Sequence, residues 1–395
     1  MDRPRMGTQR YRGEGRSRID VETVVAADLA SLADDWDRLA LTHGAGPFSG
    51  RAWVEAWNMC LVPDAERWSL VARDSLGAVV GMLHLADTTR DIHRMVQLPL
   101  RYVGLAGAGV GAGEHLGPLC GSDDVAAALF GALGTIASRR TILLENLQPK
   151  WADLAGSVLG AVAVRSTPCP VNVRSEGATF SSAWTPRMRK NVRRRGRRLA
   201  ELGAQLRWVD AADEADFLRA LDELGNVHAD RWRASSDDGG FGEQRRRFIA
   251  EVARRSVGVD RPRILLIERH GEVLAALLAL RFGTSLSIYK TGWNAAYANL
   301  SPGILAGAEA MRLAEDEGLL AVDYLRGERP HKHDLGCRPV ADLTVLRPHG
   351  VGGRILEARE RSSHDGLVPP WVDALRGALE RAKRRRPSAV GERGE

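Results

Sequence analysis

Apolar residues along the chain recur at two periods, and the alternation between them lays out the elements. The segment IDVETVVAADLASLADDWDRLA predicts a strand and then a helix, with Leu29, Leu32, Trp36 and Leu39 at helical spacing. PFSGRAWVEAWNMC predicts a second helix, capped by Ser49, with Trp53 and Trp57 four apart on one face. In WSLVARDSLGAVVGMLHLA two apolar runs are parted by a polar turn at Asp74–Gly77, the pattern of a hairpin. A helix over 125–138 and a buried strand, TILLENL, complete a first half of mixed α/β character with antiparallel strands.

The second half repeats the plan. A basic helix (185–202) precedes a strand (AQLRWVD), helices at 213–232 and 241–256, and a second hairpin, ILLIERHGEVLAALLAL, turning at His270–Gly271. A strand (LSIYKTGW), a helix from 302 to 317, a strand (AVDYLRG) and a short basic helix at 370–386 follow. The two hairpins share one pattern, so the chain reads as a duplicated α/β lobe.

Composition narrows the class. An apolar fraction of 44% over 395 residues excludes a collagen-like or wholly disordered chain. Charge-free stretches are too short for a membrane-spanning helix, and the arginines of residues 1–18 have no apolar run behind them, so neither a span nor a signal peptide is expected. Four scattered cysteines (Cys60, Cys120, Cys169, Cys337) without a CxxC pair suggest reduced thiols and a cytoplasmic protein. The net charge of +6 is uneven: residues 1–18 and 376–395 each carry +4, and residues 185–198 hold eight bases and no acid. The rest of the chain is therefore acidic, which points to a localised anion site rather than a general nucleic-acid coat. Only five of the 56 cations are lysines; Lys190 and Lys332 fall within the segments singled out next, and Lys290 within the YKTGW motif quoted after them.

Three segments carry candidate chemistry. In YANLSPGILAGAEAMRLAEDEG, Ser301 is placed as an N-cap, Pro302 as the first helical residue and Gly318 as the stop. Gly303 leaves the first-turn amides unobstructed, a setting suited to a pyrophosphate. VDYLRGERPHKHDLG gathers Asp323, Arg326, Glu328, Arg329, His331, Lys332, His333 and Asp334, a candidate acid/base cluster at a strand end. His331, His333, Asp334 and Cys337 match no usual zinc spacing, so no metal is expected. The basic helix, capped by Thr185 and opened by Pro186, lines one face with Met188, Val192, Leu199 and Leu202 and the other with cations. These cations repel one another unless an anion lies nearby, whether a coenzyme phosphate, an acidic substrate or RNA. GAGVGA (107–112) fits a dinucleotide fingerprint only formally, because Gly113, Gly117 and Pro118 break any helix behind it.

Taken together, WDRLA…PFSGRAWVEAW, PRMRKNVRRRGRRLAELG, LDELGNVHADRW, YKTGW…YANLSPGIL and VDYLRGERPHKHDLG resemble the BioF2-like or CelD/BcsL-type acetyltransferases of the GNAT superfamily, relatives of the Fem-type peptidyltransferases. The resemblance runs from about residue 20 to 345. It implies a tandem GNAT-like fold: a basic disordered tail (1–18), a first lobe (19–170), a second lobe holding the acyl-donor site (171–350) and a helical basic tail (351–395). Each lobe then has a mixed, largely antiparallel sheet flanked by helices. The implied chemistry is acyl transfer, with acetyl as the expected group, from acyl-CoA to an amine or hydroxyl of a small molecule or saccharide. The resemblance places the pyrophosphate at Ser301, Gly303 and Ile304; the charge of the basic helix makes Lys190 and Arg194 further candidate contacts for the donor. Where family members commonly have Tyr before a Lys, this chain has His331 before Lys332. Asp323 or His331 is expected to accept the amine proton, and Tyr289 or Lys332 to protonate the leaving thiolate or hold phosphate. Two alternatives are a Fem-like aminoacyl-tRNA-dependent transferase, with helix 185–202 as the RNA contact, and a non-catalytic adaptor.

Overall fold

The structure is a computed structural model that describes residues 9–12, 18–44, 46–91, 99–109, 113–232 and 241–365. The elements run β1 (Gln9–Arg12), β2 (Arg18–Val25), α1 (Ala33–His43), α2 (Arg51–Cys60), β3 (Glu66–Arg73), β4 (Val79–Asp91), β5 (Pro99–Leu105), β6 (Leu119–Cys120), α3 (Asp123–Ile136), β7 (Thr141–Leu147), α4 (Pro149–Leu159), β8 (Val162–Pro168) and β9 (Val171–Val173). After these come α5 (Pro186–Glu201), β10 (Gln205–Asp210), α6 (Glu214–Trp232), α7 (Glu243–Arg255), β11 (Arg263–Arg269), β12 (Glu272–Phe282), β13 (Ser285–Trp293), α8 (Pro302–Asp316), β14 (Ala321–Asp323), α9 (Pro330–Asp334), β15 (Ala341–Arg347) and α10 (Gly350–Asp365).

Two sheets result, flanked by helices. The first has the order β1-β2-β3-β4-β5-β7-β15-β8, with β6 beside β4; the second is β10-β11-β12-β13-β14-β9. From β2 to β15 and from β10 to β9 the pairings follow one sequence: three antiparallel, one parallel, one antiparallel. The fold is thus mixed α/β with one lobe plan used twice. Both predicted hairpins form: Asp74 Oδ1 accepts from the Leu76 and Ala78 amides, and His270 and Gly271 take the positive φ of a tight two-residue turn. All seven residues of β7 are buried, as expected of a strand covered on both faces.

Each sheet is closed by a strand from elsewhere in the sequence. β9 pairs with β14 in the second sheet, and β15, within the stretch expected to belong to the second lobe, pairs with β7 and β8 in the first. The helix after β15, α10, packs on β8, where Arg165 Nη1 donates to Glu360 Oε2 at 2.7 Å. A boundary at 350 therefore follows sequence order but not pairing, because a strand joins whichever sheet edge can satisfy its amides.

Other local expectations shift. Gln9–Arg12, within the expected disordered tail, pair with β2. Ser49 does not cap α2; it lies in a preceding 3-10 turn and gives its carbonyl to Trp36 Nε1, while Gly50 stands at the cap. The strand expected over AVDYLRG is only three residues long, because Leu325 and Gly327 adopt positive φ. The basic helix expected at 370–386, and residues 110–112 of GAGVGA, lie outside the described residues.

Candidate active site

In the second sheet, β13 and β14 pair in parallel only from Ser285–Ala321 to Ser287–Asp323. β13 then runs on to Trp293, while the chain after Asp323 turns aside. That turn is fixed twice. Asp323 Oδ1 accepts the Leu325 amide at 2.8 Å, and the buried Lys332 ammonium donates to the carbonyls of Tyr324 (2.9 Å), Leu325 (3.1 Å) and Gly327 (2.6 Å). The diverging strands open a wedge with a cavity of about 520 Å³, and the start of α8 borders it.

Ser301, Gly303 and Ile304, Tyr289, and His331 and Lys332 all line this cavity. Lys290, Arg326 and Arg329 join them, and among the described residues no Asp or Glu does. The wall is therefore cationic, a setting for an anionic ligand. Tyr324 adds a buried phenolic oxygen with no hydrogen-bond partner among the described residues, its pKa raised well above the usual tyrosine value by burial. A buried polar atom left unpaired is costly unless something else fills its valence. Tyr289 is also held protonated, pushed up to about 12 by burial against the opposing pull of Arg245, whose Nη1 donates to its hydroxyl at 3.3 Å.

Several predicted roles change here. Ser301 stands at the N-cap of α8 but in the left-handed region (φ 48°, ψ 55°), and its side chain caps nothing. Its amide donates to Ala298 and that of Ile304 to Ser301, which leaves the Gly303 amide as the donor of the three not turned inward. Gly303 is also demanded by packing, since a Cβ there would lie 2.8 Å from Trp293. Lys332 holds the turn with hydrogens already committed to carbonyls, so it is not a free phosphate ligand. Burial lowers its pKa.

Asp323 is buried outside the cavity wall, and its Oδ2 lies 2.7 Å from His115 Nε2. Lys190 and Arg194 face a separate depression on the outer side of α5. The helical rotation that buries Met188 and Leu199 turns these cations to solvent.

What the sequence reading missed is the contribution of the first lobe. His115, in a left-handed conformation (φ 55°), is clamped between Asp323 and Asp342, with Nδ1 2.9 Å from Asp342 Oδ1. Its backbone amide donates to Asp342 Oδ2 at 2.6 Å. Burial works against the charged ring, but hydrogen bonds to the two carboxylates outweigh it and raise the pKa to about 10. The neighbouring Glu114, also buried, lies 3.2 Å from Nε of the cavity residue Arg326, and burial pushes its carboxyl up to about 7 despite that cation. No spacing rule links Glu114 and His115 to Asp323, more than two hundred positions away. A Glu-His pair just beyond a glycine-rich loop was the one available signal. Among the described residues, His115, Cys169 and Asp342 are the donors close enough to share an ion; His331, His333, Asp334 and Cys337 are not so gathered. The imidazole and carboxylate of that trio are already committed to each other.

The acetyltransferase (GNAT) domain family model matches residues 186–333, the span from α5 through α9 that contains the wedge. The first lobe repeats the strand order of that span, so the fold is GNAT-like in both lobes. Among solved structures, FemX aligns with a TM-score of 0.57 at 10% identity, covering 80% of this chain and 95% of that one. L-PGS from Bacillus licheniformis gives 0.54 at 10% identity, covering 84% and 94%. The C-terminal domain of a putative lysylphosphatidylglycerol synthetase from Agrobacterium fabrum gives 0.51 at 10% identity, covering 83% and 94%. At such identities these likenesses establish the shared fold. No curated protein matches the chain significantly.

Proposed function

We propose that this protein is an acyltransferase of the CelD/BcsL type that binds a phosphate-bearing acyl donor, acyl-CoA, in the wedge of its second lobe. The observation that carries the reading is the cavity wall, in which Lys290, Arg326, Arg329 and His331 line the space between β13 and the β14 turn and, among the described residues, no carboxylate does. The donor supplies the thioester. Its phosphates lie against Arg326, Arg329 and Lys290, with the Gly303 amide at the start of α8 as a further donor. The acceptor is an amine or hydroxyl of a small molecule or saccharide. His331, on the cavity wall, takes the proton from it. Tyr324 or Tyr289, both kept protonated by burial, returns a proton to the departing sulfur.

The test is thermal unfolding with acetyl-CoA and longer acyl-CoAs. A donor at 100 times its dissociation constant stabilises the folded state by about 2.7 kcal/mol. Stabilisation that disappears in Arg326→Gln/Arg329→Gln supports the assignment. An unchanged melting curve with every acyl-CoA overturns it.

A further inference from the structure

The cations of α5 are not explained by the wedge. Arg187, Lys190, Arg193, Arg194, Arg197 and Arg198 are exposed, and among the described residues none has an ion-pair or hydrogen-bond partner. Elsewhere most surface arginines are paired, as Arg207 is with Asp216, Arg255 with Glu55 and Arg312 with Glu309. Six cations at successive turns of one helix repel one another, and Glu201 at the helix end is the one acid beside them in the described lining of that face.

The adjoining face of the same helix borders a groove of about 460 Å³ between α5 and α8. Val192, Leu199, Leu206, Ile267 and Leu305 form its apolar lining, and Leu206 is 52% exposed. Gly196 stands on this wall at the middle of α5. Glycine is among the least favourable residues for a helix interior, yet a Cβ at Gly196 would meet nothing within 4 Å. The position is kept small although no part of the described protein occupies the space.

We infer that α5 and this groove form a docking surface for an anionic phospholipid bilayer, with headgroup phosphates on the α5 cations and one acyl chain in the groove beside Gly196. The α5 cations select an anionic partner; the groove's α8 wall also carries Glu309, Arg312 and Glu315, with Glu309 paired to Arg312 and Glu315 accepting the Phe180 amide, so its apolar wall on α5 and the sheet is what selects a lipid chain over a nucleic acid. Single-stranded nucleic acid is bound by stacking on exposed aromatic rings. The groove's one aromatic residue, Trp184, is buried and donates its indole N–H to Met311. The basic stretches at 1–18 and 376–395 add attraction of the same sign.

Co-sedimentation of the full chain with vesicles tests this, using neutral phosphatidylcholine alone and mixed with phosphatidylglycerol. Binding is expected only to the anionic vesicles and weakens as salt is raised. Each surface cation contributes roughly five-fold, so Arg193→Gln/Arg197→Gln lowers the partition constant about 25-fold. Gly196→Leu fills the groove in a helix it also favours, and lowers vesicle binding several-fold without lowering the melting temperature. Acyl-CoA stabilisation of both variants stays as in the parent chain, which separates this surface from the wedge. The inference is overturned if anionic vesicles do not bind, if Gly196→Leu binds them as the parent does, or if an RNA oligomer binds with Arg193/Arg197 dependence while vesicles do not.

Discussion

The two lobes share a strand order and a helix plan but treat the same opening in opposite ways. In the second lobe β13 and β14 separate and leave about 520 Å³ open to ligand. In the first, β5 and β7 are also parallel and pair over only three positions, from Tyr102–Thr141 to Gly104–Leu143. There the gap is closed. Leu116 bridges to Leu147, His84 stacks on Trp36 with centroids 3.8 Å apart, and Phe48 packs edge-on to Trp53. What is left beside His84 is a void of about 10 Å³, no more than a water's worth. His84 is held neutral there, its pKa pushed down to about 3 by burial and by Arg67. The framework alone thus does not make a site; bulky side chains at the wedge abolish it. The first lobe contributes instead at the interface, delivering Glu114 and His115 to the strand end of the second.

The sharpest way to break this comparison is to cut an imidazole from each wedge. His331→Ala is expected to lower kcat by roughly 10²–10⁴-fold in a steady-state assay with acyl-CoA and a true acceptor. His84→Ala leaves turnover intact and lowers unfolding stability by roughly 2–5 kcal/mol, the cost of a core cavity. Equal turnover losses in both variants would mean that the first lobe is also a reaction site.

Next comes the latch between the lobes. His115→Asn removes one partner of a buried charged cluster and is expected to cost roughly 3–5 kcal/mol, read by denaturant unfolding. The pH dependence has a definite direction. The His115 pKa is raised from 6.5 to about 10 on folding, so its stabilisation is complete below about pH 6.5 and fades as pH rises through 10. Parent and variant stability curves should converge across that interval; parallel curves would remove the imidazolium from the latch.

The smallest effect concerns Arg326, held from behind by Glu114. Arg326→Gln is expected to weaken acyl-CoA binding by roughly 10- to 100-fold, measured by calorimetry, in line with one lost charged hydrogen bond. A change confined to kcat would place Arg326 outside the donor contact.

Much of the framework was legible in the sequence because local rules act over short range. The hairpin turns follow from Asp74 and from His270–Gly271, and the Thr185 cap holds α5, its hydroxyl accepting the Met188 amide at 3.2 Å. The duplicated pattern was visible as well. The candidate site was legible only as a neighbourhood: Tyr289, Ser301, Gly303, Ile304, His331 and Lys332 line one cavity. Their separate roles were not, since a sequence does not show that Lys332 spends its hydrogens on carbonyls or that Asp323 turns toward His115.

The sequence by itself determined the periodicities, the turns and the position of the charge on α5, because each depends on residues within a few positions of one another. Only the tertiary structure decided that β15 crosses to the first sheet, that one wedge stays open while its twin is filled, and that His115 meets Asp323 and Asp342. Those outcomes depend on contacts between segments far apart in the chain, where packing and the satisfaction of buried charge choose among arrangements that local pattern leaves equal.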